Sequence, residues 1–282
     1  MKIESVIAAS RFGLGARPGD YDTIDRNAKS WLVDQLQGPS RVASEIQSLP
    51  DSASVLVEFQ AIIEKRRDLR AESNSPAPDI VEKVGGTLRH HYLQQTEARY
   101  RAACASDHPF HERLVHFWAN HFAVSADKPP LPALAGLYEN EAIRPNIGGS
   151  FADLLIAAES HPAMIVYLDN QRSVGPGSRL GKRAGTRRNN QSVGLNENLA
   201  REILELHTLG VDGGYTQNDV QSLAKIITGW SVGGGRGPLR NGTPGEFTFR
   251  TAIHEPGTQS LLGRQYAQQG MEQGVAVLRD LA

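Results

Sequence analysis

One cysteine, Cys104, is all that the 282-residue chain contains. No intramolecular disulfide and no cysteine-rich zinc site can form, and such usage fits a reducing compartment. An excess of charge of one sign is missing too. Thirty Lys and Arg stand against 31 Asp and Glu, for a formal net charge of −1, which creates no global field toward nucleic acid or an acidic membrane. No apolar run approaches the roughly 18 residues that a bilayer span needs. The opening MKIESVIAASRFGLG carries one lysine and too short an apolar stretch for a secretory leader. These absences lead to the expectation of a soluble, cytoplasmic protein that engages neither membrane nor nucleic acid.

Strand-like alternation is also scarce, confined to EFTFRT at 246–251, where two short strands would make a local hairpin. Helical spacing is plentiful. Trp31, Leu32 and Leu36 recur at helical intervals before Gly38-Pro39, and Val55, Leu56, Phe59, Ile62, Ile63 and Leu69 form a stripe from Ser52 to about Ala71. Further helices are predicted over 80–105, 108–124, 131–143, 151–158, 164–168, 195–210 and 218–230. No internal repeat is present. The length allows one large or two small domains, and the pattern predicts a mainly α, multi-helix globular domain over 1–282 with long loops and at most a short β-hairpin.

Two loops are distinctive. Residues 171–192, QRSVGPGSRLGKRAGTRRNNQS, hold six basic residues, among them Arg183 and Arg187, and no acid. Their Gly- and Ser-rich composition predicts a flexible basic insertion; the functional alternative is a lid that grips phosphate, sulfate or carboxylate groups. The other loop, SVGGGRGPLRNGTPG at 231–245, is glycine-rich. It has no strand-to-helix context for a phosphate loop.

LNENLAREILELHTLG, residues 195–210, raises the central question. At 100° per residue, Leu195, Leu199, Ile203 and Leu206 share a core-facing side, while Asn198, Arg201, Glu202 and Glu205 share the opposite one. Asn196 suits an N-cap and Glu197 the positive helix start. Arg201 and Glu205 make an i,i+4 pair. The stripe is either a wet face or the lining of a crevice formed with the next helix, which runs toward Trp230.

HPFHERLVHFWANHFAVS, residues 108–125, is the second constellation. Glu112, His116 and Asn120 stack on one face, and Arg113, Phe117 and His121 on the neighbouring one. His116 and His121 lie about 140° apart around the helix, so they cannot chelate one ion as an i,i+4 pair does. Three readings stay open: core and capping histidines, acid–base chemistry, or a metal site. The last would take Glu112 and His116 together with Glu202, Glu205, His207 or His254. Neither a metal nor a cofactor can be named from these residues.

Taken in order, RFGLGARPGD, WLVDQL, ERLVHFWANHFAVS, HPAMIVYLDN, LNENLAREILELHTLGVDGGYTQNDVQSLAKIITGWSV and FRTAIHEPGTQSLLG resemble the large bacterial family catalogued as domain of unknown function 1800. The resemblance runs from about residue 8 to the C-terminus. It implies a single, largely helical unit and brings no reaction or catalytic residue with it. Many relatives carry export leaders, whereas here the RFGLG motif lies close to Met1, as in the leaderless subgroup. Relatives continue past the LLG motif into a longer helical stretch, so a further C-terminal helical part is expected. Their genes often adjoin a sulfatase-like family, domain of unknown function 1501, which is the partner the resemblance implies.

Two hypotheses follow. In the first, the protein is an enzyme whose cleft is lined by Glu202, Glu205, His207, Glu112 and His116, with a carboxylate and a histidine as acid and base. Arg201, Asn198, Asn120, Arg183, Arg187 and Trp230 would hold an anionic, glycan-like substrate for hydrolysis or elimination. In the second, the Asn/Glu/Arg stripe is a non-catalytic network that pins helix register, and the surface binds a partner. A site needs a concave pocket reached by these side chains; a structural network is closed to solvent.

Overall fold

The computed structural model describes residues 2–37, 42–73, 78–185, 194–234 and 241–282. The fold is mainly α, with two two-stranded antiparallel sheets among the described residues. The two longest described helices, Ser52–Ser73 and Pro78–Ala105, fall on the segments predicted as helical, 52–71 and 80–105. Helix Pro109–His121 begins with proline in its first turn, where the missing N–H is no loss. Helices Phe151–Ser160, Pro162–Tyr167 and Gln217–Ile226 follow, the last opened by a capping box between Thr216 and Asp219.

One cluster of buried apolar side chains extends from Val55 to Leu278, and a small one around Ala8, Ala9 and Ile24 seats the N-terminal turns. Trp230 is fully buried in the large cluster. No described helix is long and apolar enough to cross a membrane.

Several local expectations change. The helix predicted to reach Trp230 ends at Ile226, because Gly229 takes a left-handed φ of 90° and turns the chain into strand Trp230–Val232. That strand pairs with Phe247–Phe249, so EFTFRT finds its partner across a long connection instead of in a local hairpin. The second pair, Gln259–Leu261 with Arg264–Tyr266, lacks an alternation long enough to read.

Helix 195–210 changes character midway. It starts as Asn198–Glu202 and widens into a π-helical stretch at Ile203–Thr208. The extra residue in the turn rotates everything after it by about 100°. Leu206, expected in the core seam, is therefore 56% exposed, and His207 turns inward.

The basic segment expected to be flexible is folded over its first half. Arg179–Gly185 is helical, Gly175 N donates to Ile253 O at 2.9 Å, and Leu180 N to Ala252 O at 3.1 Å. Gly177 N donates to the Glu255 carboxylate at 2.6 Å. The glycines serve close approach here: a Cβ on Gly175 would stand 2.6 Å from Glu255 N. The remainder of that expectation, including Arg187, lies outside the described residues. Gly175→Ala is expected to destabilise the protein by about 1–3 kcal/mol in denaturant melts. Gly194→Ala, whose Cβ meets nothing within 4 Å, should leave the midpoint unchanged.

Candidate active site

A cleft that carries a histidine opens between three elements. Gln95, on the long helix, donates from Nε2 to Ala133 O at 2.8 Å and accepts from Gly136 N at 3.0 Å. Gly136 must lack a side chain, since a Cβ would lie 2.7 Å from Gln95 Cβ. This clamp sets the segment after it, Glu139–Ile143, as a second π-helical stretch beside the long helix. Glu139 then meets Arg99, whose Nε lies 2.8 and 3.0 Å from the two carboxylate oxygens. His116 and Asn120 arrive from helix Pro109–His121. Together these residues, with Tyr92, Thr96 and Tyr100, line a cleft of about 420 Å³.

Behind the cleft lies a buried charge. Arg144 is 2% exposed; its Nη1 donates to Glu112 Oε1 at 2.5 Å and its Nη2 lies 3.9 Å from Glu139 Oε1. Burying three such charges is tolerable only because opposite signs alternate. The three are Glu112, Arg144 and Glu139, and the half-exposed Arg99 continues the alternation. Burial pushes the Glu139 carboxyl above its ordinary value, although Arg99 and Arg144 pull the other way. Burial likewise pulls His116 below its ordinary value, with Arg99 in support. Both groups thus move toward their uncharged forms, and His116 Nε2 is buried without a hydrogen-bond partner.

The sequence-predicted residues divide among three places. His116 and Asn120 reach the cleft, with Glu112 behind it on Arg144. Arg201 lies elsewhere, on an outer ladder: its Nη1 meets Glu205 at 3.0 Å and its Nη2 meets Glu197 at 3.4 Å and Gln217 at 2.9 Å. The i,i+4 pair foreseen from spacing is present, and Asn198 is exposed beside it. Asn196 stands two residues before the helix start, one ahead of the N-cap position Glu197, accepting from Asn198 N at 2.9 Å, while its Nδ2 donates to Leu168 O and Asp169 O.

His207 occupies the third place. Its Nδ1 lies 2.6 Å from Oε1 of Glu159, which is 0% exposed, and its carbonyl accepts from His121 Nε2 at 3.1 Å. Desolvation lowers the His207 pKa, but the Glu159 carboxylate, aided by Glu202, outweighs it and the net shift is upward. Trp230 is enclosed by the core, packed edge-on to Phe247, and Arg183 is exposed on its helix. The five residues expected in one cleft are therefore not brought together. Among the described residues no three His, Cys, Asp or Glu gather as a metal-binding set.

Arg99, Glu139 and Arg144 were missed from the sequence. A readable signal existed in LYENEAIRPNI, where two acids and an arginine interrupt an apolar run; charges at such positions are buried only when paired. For the closed pair the sign of the pH effect is fixed. A raised histidine pKa in the folded state means that the stabilisation is complete below the ordinary value of 6.5 and is lost as pH rises through the raised value. Glu159→Gln is expected to cost about 3–5 kcal/mol at acid pH and less in alkali, read from urea melts across pH. A difference that stays constant with pH would contradict this.

A family model described as "Protein of unknown function (DUF1800)" matches residues 7–282. No curated protein and no solved structure matches the chain significantly.

Proposed function

The chain belongs to the DUF1800 family, and we propose that it is an acid–base enzyme whose active centre is the cleft between His116 and Glu139. The observation that carries this reading is the pairing of a histidine and a carboxyl on the walls of one open cleft, both biased by burial toward the uncharged form. A neutral imidazole can accept a proton and a neutral carboxyl can donate one, and both shifts favour the forms that bifunctional proton transfer needs.

The remaining walls suit an anionic, hydroxylated substrate of the glycan class. Arg99 supplies a guanidinium whose side chain is partly exposed at the cleft. Tyr92 and Tyr100 present exposed rings, and Asn120 an exposed amide, which together offer apolar faces and hydrogen-bonding tips. In an elimination, His116 takes the proton from carbon and Glu139 gives one to the departing oxygen. In a hydrolysis, His116 takes the proton from the attacking water and Glu139 again protonates the leaving group.

The outer Arg201 ladder and the closed Glu159–His207 pair fit the structural role. One is a solvated ion-pair ladder worth a few tenths of a kcal/mol per pair, and the other is sealed from solvent.

Turnover of a sulfated or uronate-containing polysaccharide is the test. His116→Ala and Glu139→Gln should each lower kcat by about 100-fold or more, with the melting temperature of at least one variant preserved. Glu205→Gln, on the outer ladder, should retain turnover. Full activity in both cleft variants would overturn the assignment.

A further inference from the structure

A second cavity, of about 310 Å³, lies where the segment after the cleft meets the first sheet. Its volume is at the lower end of the range for small-molecule sites. Lys128, Asp169, Gln171, Arg172 and Arg250 line it, along with the Gly233–Gly234 backbone. Three cations therefore face one carboxylate. Lys128 is spent on that carboxylate, at 2.6 Å from Asp169 Oδ2, and on the carbonyls of Val166 and Tyr167. Arg172 is mostly exposed and stands 3.7 Å from Asp169 Oδ1.

Arg250 is the unusual member. It is 8% exposed, yet no carboxylate pairs with it among the described residues. Its Nη2 donates to Val232 O at 2.6 Å and Gly234 O at 3.2 Å, and its Nε is buried with no partner. An arginine does not escape such a position by losing its proton. A buried cation without a counter-charge is costly, and an anion in the cavity would remove the penalty.

The unmet acceptors narrow the ligand further. Asp169 Oδ1 and Gln171 Oε1 are also buried without hydrogen-bond partners. A bare anion satisfies the arginines but leaves both oxygens unmet. A molecule with an acidic group and hydroxyls satisfies both kinds.

We propose that this cavity binds the anionic group and neighbouring hydroxyls of an acidic sugar, with Arg250 and Arg172 on the acid and Asp169 and Gln171 on the hydroxyls. Val124 lines the first cleft and Lys128 the second cavity, so the connecting chain holds those two Cα atoms within about 14 Å. Assigning both cavities to one substrate rests on the acid–base reading above; the sugar site itself stands on its own residues.

The test is calorimetric titration of the full chain with glucose 6-sulfate, glucose 6-phosphate, inorganic sulfate and glucose. At least one of the two acidic sugars should bind at least about tenfold more tightly than inorganic sulfate or glucose, and the stronger of the two identifies the acid group. Arg250→Gln and Arg172→Ala should each weaken that binding by about tenfold. Arg172→Ala changes an exposed side chain, so it tests the site even where loss of Arg250 unsettles the sheet. His116→Ala should bind the acidic sugar as the wild type does, which separates this site from the catalytic cleft. Absence of binding at millimolar sugar, equal binding of inorganic sulfate, or undiminished binding in Arg172→Ala would overturn the proposal.

Discussion

The Arg144 guanidinium is the constraint on which the site depends. It sits 2% exposed between Glu112 and Glu139, and through Glu139 it reaches Arg99 on the long helix. Three elements that share no backbone hydrogen-bond ladder are thereby held in register. A buried cation demands its carboxylates at close range, so their positions are far less free than apolar packing alone would leave them. The cleft is the outward consequence. Glu139 is held by Arg144 on one side and Arg99 on the other, and it lines the same cleft as His116.

The same economy of charge runs through the rest of the molecule. Where carboxylate and base are sealed together, as in Glu159 and His207, the pair acts as a fastening. Where they face solvent, as in Arg201 and Glu205, the pair contributes little. The chemistry proposed for His116 and Glu139 needs burial and access together, because burial shifts the proton equilibria while access admits a substrate. The cavity around Arg250 follows that rule in a binding sense: its charge is buried, has no carboxylate partner among the described residues, and lines a cavity.

Much of this fold was legible in the sequence. The helix Ser52–Ser73 follows from its apolar stripe, and the common face of His116 and Asn120 on Pro109–His121 follows from their i,i+4 spacing. The rest was hidden for identifiable reasons. A π-helical stretch at Ile203–Thr208 breaks the 100° arithmetic and exchanges Leu206 for His207 on the inner face. A left-handed Gly229 converts the end of a helix into a strand. Glycines at 175 and 177, which read as flexibility, mark a close approach to Glu255. Glu139 and Arg99 are 40 residues apart, and no local pattern joins them. The family-wide match fixes kinship over residues 7–282 but carries no chemistry, so the site had to come from geometry.

The most direct measurement is a site-resolved titration of the protein carrying 13C at glutamate Cδ and histidine Cε1, followed by NMR and assigned with Glu139→Gln and His116→Gln. The account predicts that the Glu139 carboxyl titrates above its ordinary 4.5 and the His116 ring below its ordinary 6.5. Each group would then keep its uncharged form over a wider pH range than it does in water. Ordinary titration of both groups, or a Glu139 ionised well below 4.5, would contradict it.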